Sequence, residues 1–275
     1  MKLGIDLGGT NIRIGKLHDG KIIEKISAPS PSKMQLEESI TYLKSVISPM
    51  ISSEVTGIGI GVPSVVDVSK GIVYNVTNIP AWEEVHLRQI LEDEFHIPIF
   101  INNDANCFAI GENRYGEGKG YPNMIGVTLG TGVGAGVVID NVLYNGSNVG
   151  AGEIGCMRYL DHVYEHYCGS EFFTTYHNTS GKEAAERARN NDPEALKIWE
   201  EYGKHLGELV QVILYAYDPD AIVFGGGIAD AFPLFSESLK ASLQTFLFPK
   251  SLEKLQIKIS KNPDIALLGA LALVQ

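Results

Sequence analysis

The sequence predicts an α/β protein in which one strand, glycine turn, strand unit is used twice. GIDLGGTNIRIG (4–15) can be laid on GVTLGTGVGAGV (126–137), and each is followed by a short turn and a further strand, HDGKII in one and IDNVLY in the other. Around these units short apolar runs alternate with amphipathic stretches of helical period. The chain of 275 residues is long enough for two ordinary domains, and 44% hydrophobic with 20% charged residues is the balance of a globular protein.

The elements follow in order. LGID, NIRIGKL and KIIEKI read as a meander whose last two strands meet at a His18-Asp19-Gly20 turn. A helix is expected over about Gln35–Met50. From Thr56 to Val62, Gly alternates with Ile and Val, which suits a buried strand whose neighbours approach its backbone closely. An amphipathic helix over 83–95, a buried strand IPIFI (97–101) and a helix over Ala105–Tyr115 come next. After the second glycine unit, helices dominate from Ser180 to Tyr217, with a capped break at Asp192-Pro193. The strand AIVF leads through Gly225-Gly226-Gly227 into a helix. A strand near Gln256–Ser260 and a helix over 263–274 close the chain, and no low-complexity linker interrupts it.

Charge and cysteine use exclude several classes. With 22 Lys and Arg against 33 Asp and Glu, the net charge of -11 repels a phosphate backbone, and no local basic patch offsets it, so nucleic acid is not an expected partner. No uninterrupted apolar stretch approaches the roughly 18 residues of a membrane span, and Asp6, Gly8 and Gly9 break the apolar start, so neither span nor signal peptide is expected. The three cysteines, Cys107, Cys156 and Cys168, are odd in number and unevenly spaced, which points to reduced thiols and to the cytoplasm.

Gly8-Gly9-Thr10 between two strands would expose backbone N–H groups of the kind that bind phosphate oxygens, with the Thr10 hydroxyl as a further donor. Asp6, ending the first strand, is placed to hold a hydrated Mg2+, which takes only one or two carboxylates. Two such turns facing each other could grip a nucleotide's β and γ phosphates. Read instead as a dinucleotide fingerprint, Gly130, Gly132, Gly134 and Gly136 alternate strictly and lead into a strand, so that context is absent. A glycine hairpin without a ligand is the plainer alternative for either turn alone.

Asn103-Asp104 follow a buried strand and open a helix, where side chains can face a cleft. Asp104 is the candidate base; the competing reading is that it caps the helix, and a carboxylate committed to backbone N–H groups is a poorer base. An aspartate of pKa about 4 is ionised at neutral pH and can take a hydroxyl proton in phosphoryl transfer, a reaction that needs mainly positioning and electrostatic stabilisation. Asn103 offers donor and acceptor atoms for neighbouring sugar hydroxyls. Glu153 sits between small residues that allow a ligand to approach, although a solvated loop glutamate would look the same.

These residues, in this order, resemble the ROK family of sugar kinases and related repressors across nearly the whole chain. Asp6, Gly8, Gly9, Thr10 and Arg13 are similar to its first phosphate motif, and GIGVPSVVD (59–67) with Gly71 to its G-x-P-G-x-V-D-x-x-x-G, with Ser64 in place of a glycine. Asn103, Asp104 and Asn106 match the sugar and catalytic segment, Leu129–Gly136 the second phosphate motif, and Asp218-Pro219 through Gly227 the adenosine segment. The resemblance implies an actin-like (ribonuclease H-like) pair of duplicated α/β domains with an interdomain cleft, 1–107 with 262–275 and 108–261, commonly as a homodimer. It implies ATP contacts at Asp6, Gly8, Gly9, Thr10, Asn11, Arg13, Gly130, Thr131, Gly132, Gly225 and Gly226, and sugar contacts at Ser64, Asn103, Asp104, Glu153, Cys156 and Glu171.

One segment departs from the family. Where relatives carry a histidine after G-E-x-G and then C-x-C-G-x-x-G-C-x-E, this chain has Cys156, His166, Cys168 and a shortened CGSE (168–171), so Glu171 takes the glutamate's place in a shorter loop. Three of the four ligands of a structural zinc are left, and zinc is not expected. A thiol also cannot reproduce a histidine's hydrogen bonds, so sugar preference can differ from that of typical members.

The leading expectation is an ATP- and Mg2+-dependent hexose kinase acting at the glucose 6-hydroxyl, with fructose, mannose, N-acetylglucosamine and N-acetylmannosamine as other acceptors. A sugar-responsive repressor would carry a helix-turn-helix before the first glycine turn, for which the sequence leaves no room. A non-catalytic sugar binder is suggested by the altered zinc segment and opposed by the intact Asp104.

Overall fold

The structure, a computed structural model, describes residues 1–18, 20–147 and 150–274; of the expected His18-Asp19-Gly20 turn, Asp19 lies outside the described residues. The chain divides into two compact units, Met1–Gly116 with Leu143–Ala151 and Asn262–Gln275, and Glu117–Val142 with Gly152–Lys261.

The first unit opens with the expected meander, β1 (Lys2–Leu7), β2 (Asn11–His18) and β3 (Lys21–Pro29), followed by α1 (Leu36–Ile47) and β4 (Ile58–Val62). Short strands β5 (Val65–Asp67), β6 (Ile72–Tyr74) and β7 (Glu84–Val85) form a small separate sheet, and α2 (Leu87–Phe95), β8 (Ile99–Asn103) and α3 (Asp104–Tyr115) follow. The helix expected over 83–95 therefore begins later. Glu84 and Val85 are drawn into pairing with Tyr74 and Val73, and Leu87 and Leu91 are what the remaining helix buries. The main sheet runs β3-β2-β1-β4-β8, with β1 antiparallel to β2 and parallel to β4.

In the second unit, β9 (Met124–Leu129), β10 (Val133–Ile139) and β11 (Val142–Tyr144) repeat the meander. A hairpin of β12 (Arg158–Tyr159) and β13 (His162–Val163), then α4 (Tyr164–Cys168), α5 (Gly181–Arg189) and α6 (Pro193–Tyr217) lead to β14 (Ala221–Gly225). Asp192 caps α6, its carboxylate accepting from Glu194 N and Ala195 N, as the break at Asp192-Pro193 predicts. Then come α7 (Phe232–Leu243), α8 (Pro249–Lys254), β15 (Gln256–Ile259) and α9 (Ile265–Ala272). This sheet runs β11-β10-β9-β14-β15, with β9 antiparallel to β10 and parallel to β14. Its core is aromatic, built on Trp199, Tyr202, Phe172, Phe173, Phe224 and Phe235, all fully buried.

The two glycine units share a register. Gly4 lies opposite Gly15, and Gly126 opposite Gly136. The second turn is one residue shorter, because Leu7 pairs with Ile12 but Leu129 pairs with Val133. A residue-by-residue overlay that sets Gly15 on Val137 is therefore corrected by one position after the turn: Gly15 matches Gly136.

Side chains alternate across a strand, so Leu3, Ile5, Ile58 and Ile60 fill one face of the first sheet while Gly15, Gly4 and Gly59 form a smooth row across three strands on the other. On that row α9 lies directly: a Cβ at Gly4 would stand 2.6 Å from Leu267 O, and one at Gly59 1.8 Å from Ala270 O. The other side of α9 meets α3, where a Cβ at Gly269 would stand 1.6 Å from Cys107 O. This packing keeps α3 whole within the first unit, whose first segment ends at Gly116. No helix among the described residues is long and apolar enough to cross a membrane.

Candidate active site

In the first unit, the turn between β1 and β2 is closed by Gly8 N donating to Asn11 O at 3.0 Å, and held from behind by Ser30 N donating to Thr10 O at 2.8 Å. The N–H groups of Gly9 and Thr10 meet no protein acceptor among the described residues, which leaves two adjacent donors for an anion. Asp6, 8% exposed, receives Arg13 Nε on Oδ2 at 3.0 Å and a second guanidinium nitrogen on the same oxygen, while Arg13 Nη1 reaches Pro263 O at 3.0 Å. Asp6 Oδ1 carries no hydrogen bond among the described residues, so the carboxylate fits the single-carboxylate hold that a hydrated Mg2+ needs. Asn78, which the sequence did not single out, lays its carboxamide against Gly9, where a Cβ would come within 2.7 Å of Nδ2.

Asp104 lies at the start of α3, beside this strand end: Asp6 pairs with Gly61, and a Cβ at Gly61 would stand 3.7 Å from Asp104 Cα. The helix cap is Asn103. Its Oδ1 accepts from Ala105 N at 2.9 Å and Asn106 N at 3.3 Å, and its Nδ2 donates to Ser64 O at 3.2 Å. Asn103 is thereby mostly spent on the fold, keeping one N–H for a ligand, and it shares the Ala105 N–H with Asp104, whose Oδ1 also accepts it at 2.9 Å. Buried amides fix the strand end: Asn102 Oδ1 accepts from Asn103 N (2.8 Å) and Asn106 Nδ2 (2.9 Å), and Asn102 Nδ2 donates to Asn145 Oδ1 (2.8 Å). Of these, Asn106 belongs to the segment the sequence singled out, whereas Asn102 and Asn145, which meet across 43 residues, carry no sequence signal.

The second unit builds the same device. Gly130 N donates to Gly132 O at 3.0 Å, Ser170 N holds Gly130 O at 2.9 Å, and the N–H groups of Thr131 and Gly132 meet no protein acceptor among the described residues. Gly225 and Gly226 pack beside this turn. A Cβ at Gly226, whose φ is +85°, would stand 2.3 Å from Leu129 O, so only glycine fits both the left-handed backbone and the space. A cavity of about 500 Å3 opens there, bounded by Gly130 and Gly227, floored by Phe173 and Trp199, and edged by Lys182 and Arg189. The lysine and arginine come from α5, one helix face seven residues apart, a spacing readable as a face but not as a ligand site.

Glu153 and Cys156 are neighbours, with Sγ 3.8 Å from Glu153 Oε2, and partial burial together with the charges of Glu153 and Glu165 pushes the Cys156 thiol pKa up. Glu171 lies beside His166, its Oε2 3.6 Å from Nδ1. The residues left from the zinc segment do not fit the metal. Cys168 is fully buried among apolar side chains, Cys156 is exposed, and His166 stacks on His162 at 3.8 Å. Among the described residues, no group of three or more His, Cys, Asp or Glu is arranged to hold a metal. Aromatic packing ties the segment down instead: Tyr159 stacks on Tyr164 at 4.2 Å, Tyr159 Oη meets His205 Nδ1 at 3.0 Å, and Tyr202 Oη donates to Cys168 O at 2.8 Å.

The model of the ROK family matches residues 2–275. The chain belongs to the ROK family. Among its ROK relatives, the glucokinase of Thermotoga maritima is 27% identical over 306 residues, covering 99% of this chain and 96% of that protein. A crystal structure of the ROK family glucokinase from Streptomyces griseus, in complex with glucose and AMPPNP, superposes with a TM-score of 0.81 at 25% identity, covering 99% of this chain and 98% of that one. The xylose repressor of Bacillus spizizenii is 29% identical over 224 residues, 75% of this chain but 58% of the repressor. The ROK family thus includes relatives named for catalysis and relatives named for regulation.

Proposed function

We propose that this ROK protein is an ATP-dependent hexose kinase that transfers the γ-phosphate to the glucose 6-hydroxyl, with Asp104 as the base. The observation that carries this is the pair of matching turns. Each has its carbonyls held from behind by a serine N–H and two adjacent N–H groups left for an anion. In this reading the two units are the duplicated, actin-like halves of one enzyme, and the turns close on one triphosphate. Gly9, Thr10, Thr131 and Gly132 then donate to its β and γ oxygens, and the base and ribose enter the cavity beside Gly226 and Gly227.

Asp104 would take the proton of the sugar hydroxyl as its oxygen attacks phosphorus, while Ser64, Asn103 and Glu153 orient the ring and Cys156 lines it. Asp6 would hold Mg2+ through Oδ1, and the ion would neutralise charge on the phosphates. Fructose, mannose, N-acetylglucosamine and N-acetylmannosamine stay as alternative acceptors, because Cys156 and the short loop at Glu171 change the residues that meet the sugar. We also place the protein in the cytoplasm as a homodimer.

A panel of these sugars assayed for ADP release with ATP and Mg2+ tests the reading. Turnover is expected with at least one, glucose foremost. No ADP release with any of them would leave a regulatory sugar binder, the role for which the repressor relatives are named.

A further inference from the structure

We propose that Glu165 is a positioning residue of the second phosphate turn, shaping 130–132 for nucleotide without touching it. The inference rests on the kinase reading of that turn. Glu165 Oε2 accepts the N–H of Val133 at 2.9 Å, across 32 residues of sequence. That N–H follows directly on the two donors of Thr131 and Gly132, so anchoring it sets the direction in which they point.

Three further contacts show that the carboxylate and the turn are built for each other. A Cβ at Gly132 would stand 2.2 Å from Glu165 Oε2, so the glycine makes room for the acid. One at Gly169, the residue after α4, would stand 2.8 Å from both Thr131 O and Glu165 O, pressing the end of the Glu165 helix onto the turn. Ser170 N completes the brace on Gly130 O at 2.9 Å. The turn is thus gripped on its carbonyl side by Ser170 and at its exit by Glu165, which leaves Thr131 and Gly132 N–H as the unspent donors. The charge of the same carboxylate also acts on the Cys156 thiol, which lies beside Glu153 in the segment assigned to the sugar.

The test compares wild type, Glu165→Ala and Glu165→Gln by kcat, by KM for ATP and for the sugar, and by calorimetric binding of AMPPNP. Losing a hydrogen bond to a charged group is expected to raise KM for ATP and the AMPPNP Kd by about 10- to 100-fold in Glu165→Ala, with KM for the sugar changed by less than about threefold. Glu165→Gln should stay within about threefold of wild type for ATP, since the amide oxygen accepts the same N–H. Gly132→Ala and Glu165→Ala combined should cost less than the sum of the two, because removing the acid removes the clash.

Unchanged nucleotide affinity in Glu165→Ala, equal damage in Glu165→Gln, or strict additivity in the cycle overturns the proposal. Should Glu165→Ala fail to fold, amide exchange in the wild type decides: a protected Val133 N–H supports the brace, and one exchanging as fast as a free turn amide overturns it. Wild type that binds no AMPPNP sinks the kinase reading itself, and leaves the Val133 bond to be judged by exchange alone.

Discussion

Asp104→Asn should lower kcat for hexose phosphorylation by about 10²- to 10⁴-fold, the usual contribution of a positioned general base, while KM for the sugar moves by no more than about threefold. The substitution is nearly isosteric, and the backbone contact of the carboxylate can be kept. Asn103 caps α3, and an amide oxygen at 104 can still accept from Ala105 N as Oδ1 does now at 2.9 Å. What disappears is the group that accepts the proton. Steady-state kinetics with a binding measurement for the sugar separates the outcomes: wild-type turnover would remove Asp104 from the chemistry, and joint loss of turnover and sugar affinity would make it a binding residue.

Gly269→Ala should give the largest loss of stability of any single methyl added to the chain. Its Cβ would stand 1.6 Å from Cys107 O and 2.5 Å from the Cys107 carbonyl carbon, and both are backbone atoms of α3 that no rotamer change can move. On its opposite face α9 is seated on Gly4 and Gly59, so it cannot retreat toward the sheet. Overpacking costs about 1–3 kcal/mol where side chains can adjust, and here the cost belongs at or above the top of that range. A thermal midpoint lower by roughly 6–12 °C follows for a chain of this size. Gly150→Ala, whose Cβ would meet nothing within 4 Å, is the matched control and should change the midpoint little. A Gly269→Ala midpoint within about 2 °C of wild type would contradict the close seating of α9.

Much of this was legible because the sequence signals were periodic or chemically unusual. The alternation of glycine with isoleucine at 57–61 marked a strand with close neighbours, which are Val274 at Gly57, α9 at Gly59 and α3 at Gly61. The glycine turns stood out because strands flank them on both sides. The strands β5, β6, β7, β12 and β13, two or three residues each, were not legible, since so short a run has no period to detect. The early helix start at 83 failed for a related reason: Glu84 and Val85 suit a helix locally, and only pairing with β6 makes them a strand.

At the site, the residue types were visible but their commitments were not. Nothing in the sequence shows that the Asn103 oxygen caps α3, leaving its amide as the group that can meet a ligand, or that Glu171 lies beside His166. Glu165 and Asn145 act across 32 and 43 residues, with no motif linking them to their partners.

The central claim is that two glycine turns hold one triphosphate with its terminal group aimed at the hydroxyl beside Asp104. A crystal structure with glucose and AMPPNP bound tests it most directly. The account predicts phosphate oxygens within hydrogen-bond reach of both Gly9/Thr10 N–H and Thr131/Gly132 N–H, and the sugar 6-hydroxyl on the Asp104 carboxylate. Phosphates held by one turn alone, or an Asp104 side chain directed away from the sugar, would contradict it.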